Sequence, residues 1–227
     1  MKFCLKPLFL SLLCTASLAQ AADAGGITVG GTRLIYDGAK KEASLNVTNS
    51  DTGPYLIQSW AETSKGGAEK APFIVTPPLF RLDGKEQNLL RIVRTGGTLP
   101  EDRESLFWLN IKSIPAGTKQ DATNTLQIAV KTRIKLIFRP QGVTGVPEEV
   151  TNKLSWSQSG SNITVTNPTA FFMNFQQVKV GGRELKGVTY VAPMSSATFD
   201  TQGASGSVSW KLITDYGGVG PEHTPGH

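Results

Sequence analysis

The chain has 227 residues, with 23 Lys and Arg against 18 Asp and Glu, two cysteines and two histidines. That length holds one or two domains with real cores. The mild positive balance, without a long run of like charge, does not argue for a nucleic-acid binder. The scarcity of His and Cys leaves little for metal or nucleophilic chemistry.

The first segment, MKFCLKPLFLSLLCTASLAQAADAGG, carries Lys2 and Lys6, an apolar run from Leu8 to Leu13, and Ala19-Gln20-Ala21. It reads as a secretory signal peptide (residues 1–21) cleaved after about Ala21. The apolar run is too short to span a membrane, so no membrane insertion is expected. Leu13 stands where a small residue is usual before a lipidated cysteine, which argues against lipidation at Cys14. Cys4 and Cys14 both leave with this segment, so the exported chain has no thiol and no disulfide and is held by its cores alone. Losing Lys2 and Lys6 leaves 21 basic against 18 acidic residues, a net charge of +3.

The remainder reads as all-β. Short alternating segments recur between Gly, Pro, Asn and Asp: TRLIYDG, ASLNVTNS, YLIQSWAE, PFIVTPPLFRL, NLLRIVRT, SLFWLNIKSI. The last segment of this half, NTLQIAVKTRIKLIFRP (124–140), is the longest. From Leu126 every second residue gives Leu, Ile, Val, Thr, Ile, Leu, Phe. The other parity gives Gln, Ala, Lys, Arg, Lys, Ile, Arg. Successive side chains of a strand point to opposite faces, so one face is apolar and the other mostly basic. On pattern alone this is a half-buried strand of unusual length, about 14 residues against the usual 5 to 6. RPQGVTGVPEEV follows as a linker. Then come LSWSQ, NITVTN, FMNFQQVKV, ATFDT and GSVSWKLIT, enough for a smaller sandwich or barrel. The expected domains are 22–142 and 143–220, with a disordered tail over 221–227. No segment has helical periodicity.

Catalytic chemistry is missing. His223 and His227 both fall in the expected tail. GASGS (203–207) lacks the final glycine of a nucleophile elbow and has no histidine partner. The acidic pairs Glu101–Asp102 and Glu148–Glu149 sit in turn and linker sequence. No metal-ligand spacing and no phosphate loop occurs. No cofactor is expected and the chain does not read as an enzyme.

Eight segments, in order and spread over nearly the whole exported chain, resemble the PapD-type periplasmic pilus chaperones. They are TRLIYDG, PYLIQSW, TPPLFRL, LPEDRESLFWLNIKSIP, LQIAVKTRIKLIFRP, NPTAFF, APMSS and TDYGG. The resemblance implies two immunoglobulin-like β-sandwiches forming an L-shaped molecule with a cleft. It implies a periplasmic chaperone that binds pilus subunits, lends them a strand and delivers them to an outer-membrane usher, and a self-capping dimer when no client is present.

The same resemblance assigns roles. Leu126, Ile128 and Val130 would be the apolar plugs offered to the client, with Ile134, Leu136 and Phe138 serving the chain's own core. Arg33 and Lys135 would bind the subunit's C-terminal carboxylate. Glu104, Arg139 and Asp215 would form an interdomain salt-bridge network. Lys131 and Arg133 read as solvated surface. Pro78, in TPP, is the expected cis-proline. The connection AGTKQDATNT reads as a short loop of about ten residues, which within the family implies rod-like pili. Ala170 and Met194 depart from the family's usual proline and aromatic, away from the proposed site. A structural pilin or adhesin of the same surface system is the alternative, weakened by the short Gly-rich start ADAGGITVGG and the absence of cysteine. A secreted hydrolase on a β-sandwich is a third reading.

Overall fold

Period-2 alternation in the sequence becomes alternation of burial along the strands. In Gln87–Arg94 (QNLLRIVR) Leu90 and Ile92 are fully buried, while Leu89, Arg91 and Val93 face water. The computed structural model describes residues 25–66, 70–117 and 127–225. Among the described residues nine strands make the first domain: β1 Ile27–Val29, β2 Arg33–Asp37, β3 Glu42–Asn49, β4 Tyr55–Thr63, β5 Phe73–Thr76, β6 Leu79–Leu82, β7 Gln87–Arg94, β8 Ser105–Pro115 and β9 Val130–Arg139. They form two facing sheets, ordered β1-β3-β7-β5 and β2-β9-β8-β4-β6. All pairings are antiparallel except β2 with β9. The first stretch of chain thus serves both sheets: β1 joins one and, after Gly30 and Gly31, β2 joins the other. Between the sheets lie Tyr36, Val47, Ile57, Leu90, Ile92, Leu109, Leu136 and Phe138. Tyr36, Phe73 and Phe107 meet edge to face at 5.0–5.2 Å.

The second domain has a short helix α1 (Pro147–Val150), a 3₁₀ turn (Thr151–Lys153) and eight strands. These are β10 Ser155–Ser159, β11 Asn162–Asn167, β12 Met173–Val180, β13 Arg183–Glu184, β14 Tyr190–Val191, β15 Ser195–Asp200, β16 Val208–Ile213 and β17 Val219–His223. Sheet β10-β11-β15 faces sheet β13-β12-β16-β17, and β14 pairs with β12. Their core runs from Val143 to Leu212 around Trp210. A third, small cluster joins the domains: Leu106 and Ile137 of the first pack on Phe172 of the second, with Ile35, Tyr190 and Ala192 around them.

Several expectations change. The long strand starts at Val130, not Leu126. Its last partner on β8 is Ser113, so Gln127–Ala129 have no neighbour on that side; Leu126 lies outside the described residues. β8 ends at Pro115 and β9 begins at Val130, a wider separation than the loop of about ten residues expected. PFIVTPPLFRL is two strands on opposite sheets, and the cis peptide joins Thr76 to Pro77, one residue before Pro78. The carbonyls of Pro77 and Pro78 both turn toward Ser59, accepting its hydroxyl and N–H at 2.8 and 2.9 Å. The linker holds the short helix α1. The expected tail contains part of β17, which pairs with β16 and stacks His223 on the Trp210 ring. These contacts outweigh the glycines and prolines of that segment; His227 lies outside the described residues.

Candidate functional site

The parallel pairing of β2 with β9 sets Arg33 directly opposite Lys135. From Lys135 onward β9 lies between β8 and β2. From Val130 to Ile134 it has β8 on one side and, among the described residues, nothing on the other. Burial follows this edge. Leu136 is fully buried and Ile134 is 6 % exposed, while Val130 is 54 % and Ile128 65 % exposed. All share one parity, so the apolar face of β9 runs out of the core and into solvent.

Arg33 and Lys135 stand where the free edge ends. Arg33 is buried, donates from one terminal nitrogen to the Ile213 carbonyl, and leaves its Nε without a partner. Burial lowers its pKa, with partial compensation from the charges of Asp215 and Glu148. Burial, and then the charge of Arg33, push Lys135 down to about 8. Among the described residues neither cation is in an ion pair. Two adjacent, partly dehydrated cations without a counter-ion are costly to maintain. They line a concavity of about 350 Å³ with Thr32, Trp108, Gln176 and Ile213. Gly217 closes one wall. Its φ of +83° disfavours other residues, and a Cβ there would stand 2.6 Å from the Thr32 hydroxyl. This geometry suits an anion with two oxygens, such as a carboxylate. A larger concavity, about 690 Å³, opens elsewhere, between β4 and β5, and presents no buried cation.

Glu104, Arg139 and Asp215 come together at the domain junction. Arg139 donates from Nε to Glu104 at 2.7 Å and from both terminal nitrogens to Asp215 at 2.7 and 3.0 Å. Glu104 also accepts the Phe172 N–H at 2.7 Å, so it ties the second domain directly to the first. Asn167 pins that loop: its amide donates to the carbonyls of Phe171 and Ala192, and its oxygen accepts from Thr169. Burial works against the charge of Arg139, but hydrogen bonds and attraction from Asp215 and Glu104 outweigh it and raise its pKa.

Lys131 and Arg133 are more ordered than a solvated surface suggests. Both pair with Glu62, at 3.7 and 3.5 Å, and they stack on Trp60 and Trp108 at 5.0 and 4.4 Å. Lys135 continues the series over Tyr190 at 4.4 Å and donates to Asn174. Sequence reasoning missed Asn174 and Tyr190. One signal was present: Asn174 is the polar residue inside the apolar run FFMNF.

A family model described as "Pili and flagellar-assembly chaperone, PapD N-terminal domain" matches residues 26–144. Another, "Pili assembly chaperone PapD, C-terminal domain", matches 149–224. The chaperone protein LpfB of Salmonella typhimurium is 44 % identical over 214 residues, covering 92 % of each chain. A chain of the Salmonella enterica complex of the SafA pilin with the SafB chaperone superposes with a TM-score of 0.83. It is 40 % identical, covering 90 % of this chain and 98 % of that one. The E. coli chaperone DraB gives a TM-score of 0.80 at 40 % identity over 89 % and 96 %.

Proposed function

This chain belongs to the PapD family of pilus-assembly chaperones, and on that premise we propose that it takes a pilus subunit by strand addition along the free half of β9. The family is one of periplasmic fimbrial chaperones, and the relatives speak for a chaperone rather than a structural subunit. The observation that carries the mode of binding is the coincidence of three things at one place: β2 ends, β9 loses a neighbour, and two unpaired cations stand side by side.

A client strand enters the lane that β2 leaves empty. If its terminal carboxylate rests on Arg33 and Lys135, its chain arrives from the Val130 end and runs parallel to β9. The carboxylate then fixes the register, and backbone hydrogen bonds along Val130–Ile134 supply affinity that depends little on client sequence. Ile128 and Val130 project into the client's open core, each contributing on the order of 1.5–3 kcal/mol before ordering costs. Leu126 would continue the series. Glu104, Arg139 and Asp215 hold the second domain against the first so that the concavity keeps its walls. Delivery to an outer-membrane usher and removal of residues 1–21 after Ala21 complete the reading; segment 1–21 lies outside the described residues.

The test is periplasmic co-purification with a pilin subunit expressed beside the chain. Wild type retains the subunit; Arg33→Ala and Lys135→Ala lose it. Equal recovery with all three proteins sinks the carboxylate anchor. The mass of the purified protein checks the cleavage site.

A further inference from the structure

The anchor lysine is gripped by the second domain. Asn174 and Tyr190 are register partners on β12 and β14, side by side and facing Lys135. The Asn174 oxygen accepts a hydrogen bond from the ammonium, which also sits 4.4 Å from the Tyr190 ring centre. Asn174 is 4 % exposed, and its orientation is set: its NH₂ donates to the Phe172 carbonyl at 3.4 Å, which turns the oxygen toward the lysine. The Tyr190 ring is held edge to face by Phe172 at 5.7 Å. Phe172 in turn gives its N–H to Glu104. A continuous chain of contacts runs from the interdomain ion pairs through Phe172 to the ammonium.

We propose that Asn174 and Tyr190 are positioning residues for client binding, holding the Lys135 ammonium charged and aimed at the incoming carboxylate. This rests on the carboxylate anchor proposed above. An ammonium has three donors. Asn174 takes one and the ring attracts the cation without accepting a conventional hydrogen bond, so donors remain for the client. A neutral amide and an aromatic ring stabilise the charge without neutralising it, whereas a carboxylate there would compete with the client. Among the described residues, the charge that acts on Lys135 is that of Arg33, which opposes its protonation. The anchor therefore needs contributions from both domains.

The experiment measures calorimetric affinity for a short peptide of alternating valine and threonine, made as the free acid and as the C-terminal amide. Wild type prefers the acid. Asn174→Leu, or Asn174→Ser where the apolar variant folds poorly, reduces that preference about tenfold, the scale of a hydrogen bond to a charged group, and leaves amide affinity unchanged. Tyr190→Leu does the same more weakly, and Tyr190→Phe does not. In ¹³C-lysine NMR the titration midpoint of Lys135 falls in Asn174→Leu. An intact acid preference, or equal weakening of acid and amide, overturns the positioning role. A wild type that does not distinguish acid from amide instead overturns the anchor beneath it, a result that Lys135→Ala reproduces.

Discussion

The two halves of β9 carry the same alternating pattern and meet opposite fates. Leu136 and Phe138 are buried where strands flank β9 on both sides, while Val130 and Ile128 repeat the apolar parity in solvent. Residue type does not separate the halves; the presence of β2 does. An apolar face is core only where a facing layer and a full complement of neighbours exist, and a missing neighbour turns the same face into an invitation.

That contrast can be broken most severely from its buried half. Leu136→Glu places a carboxylate at a fully buried position and is expected to cost more than about 4 kcal/mol, enough to prevent purification of folded protein. Next is Asp215→Ala. Removing one partner of a nearly buried network costs about 3 kcal/mol and broadens the small-angle scattering profile through loosened domain orientation. An unchanged profile removes the network from the account.

The boundary between the halves is sharpened by pH. Lys135 has a pKa of about 8 against the ordinary lysine value of 10.5. Below pH 8 it is charged in the folded and the unfolded chain alike. Between 8 and 10.5 the unfolded chain holds the proton more tightly, so the client-free protein gains stability as pH rises through that window. Client affinity moves the other way: constant below about pH 7, then falling as the ammonium deprotonates, with Arg33 sustaining the remainder. Lys135→Arg should flatten the affinity profile. A wild-type profile already flat to pH 9.5 contradicts the depressed lysine. The smallest stability effect belongs to the free half. Val130→Glu should change unfolding free energy by less than about 0.5 kcal/mol yet abolish recovery of the subunit. If it unfolds the chain, Val130 is core and the contrast fails.

Much of this was legible in the sequence, and unevenly so. Alternation alone marked the strands, and the segments TRLIYDG and RIKLIFRP pointed to Arg33 and Lys135 as a pair. Their adjacency was not legible, because parallel register between distant strands is set by the whole sheet. The start of β9 was misplaced for the same reason: apolar alternation extends to Leu126, but a strand needs a partner and β8 supplies none beyond Ser113. The tail misled through composition. Pro221, Pro225 and Gly226 read as disorder, and the stacking of His223 on Trp210 was invisible to local reasoning. Asn174 and Tyr190 escaped because their role depends on how two domains meet.

The pairing of Arg33 with Lys135 also bears on export. β2 comes near the start of the first domain and β9 closes it, so this contact is among the most non-local in the domain and depends on loops being closed first. A chain crossing a membrane N-terminus first displays Arg33 early, but Lys135 arrives only with the last strand. The arginine alone does not make the two-cation seat. On the proposed anchor, a half-translocated molecule would not retain a subunit there, and the capacity to bind would be conferred only when the first domain has fully emerged and closed.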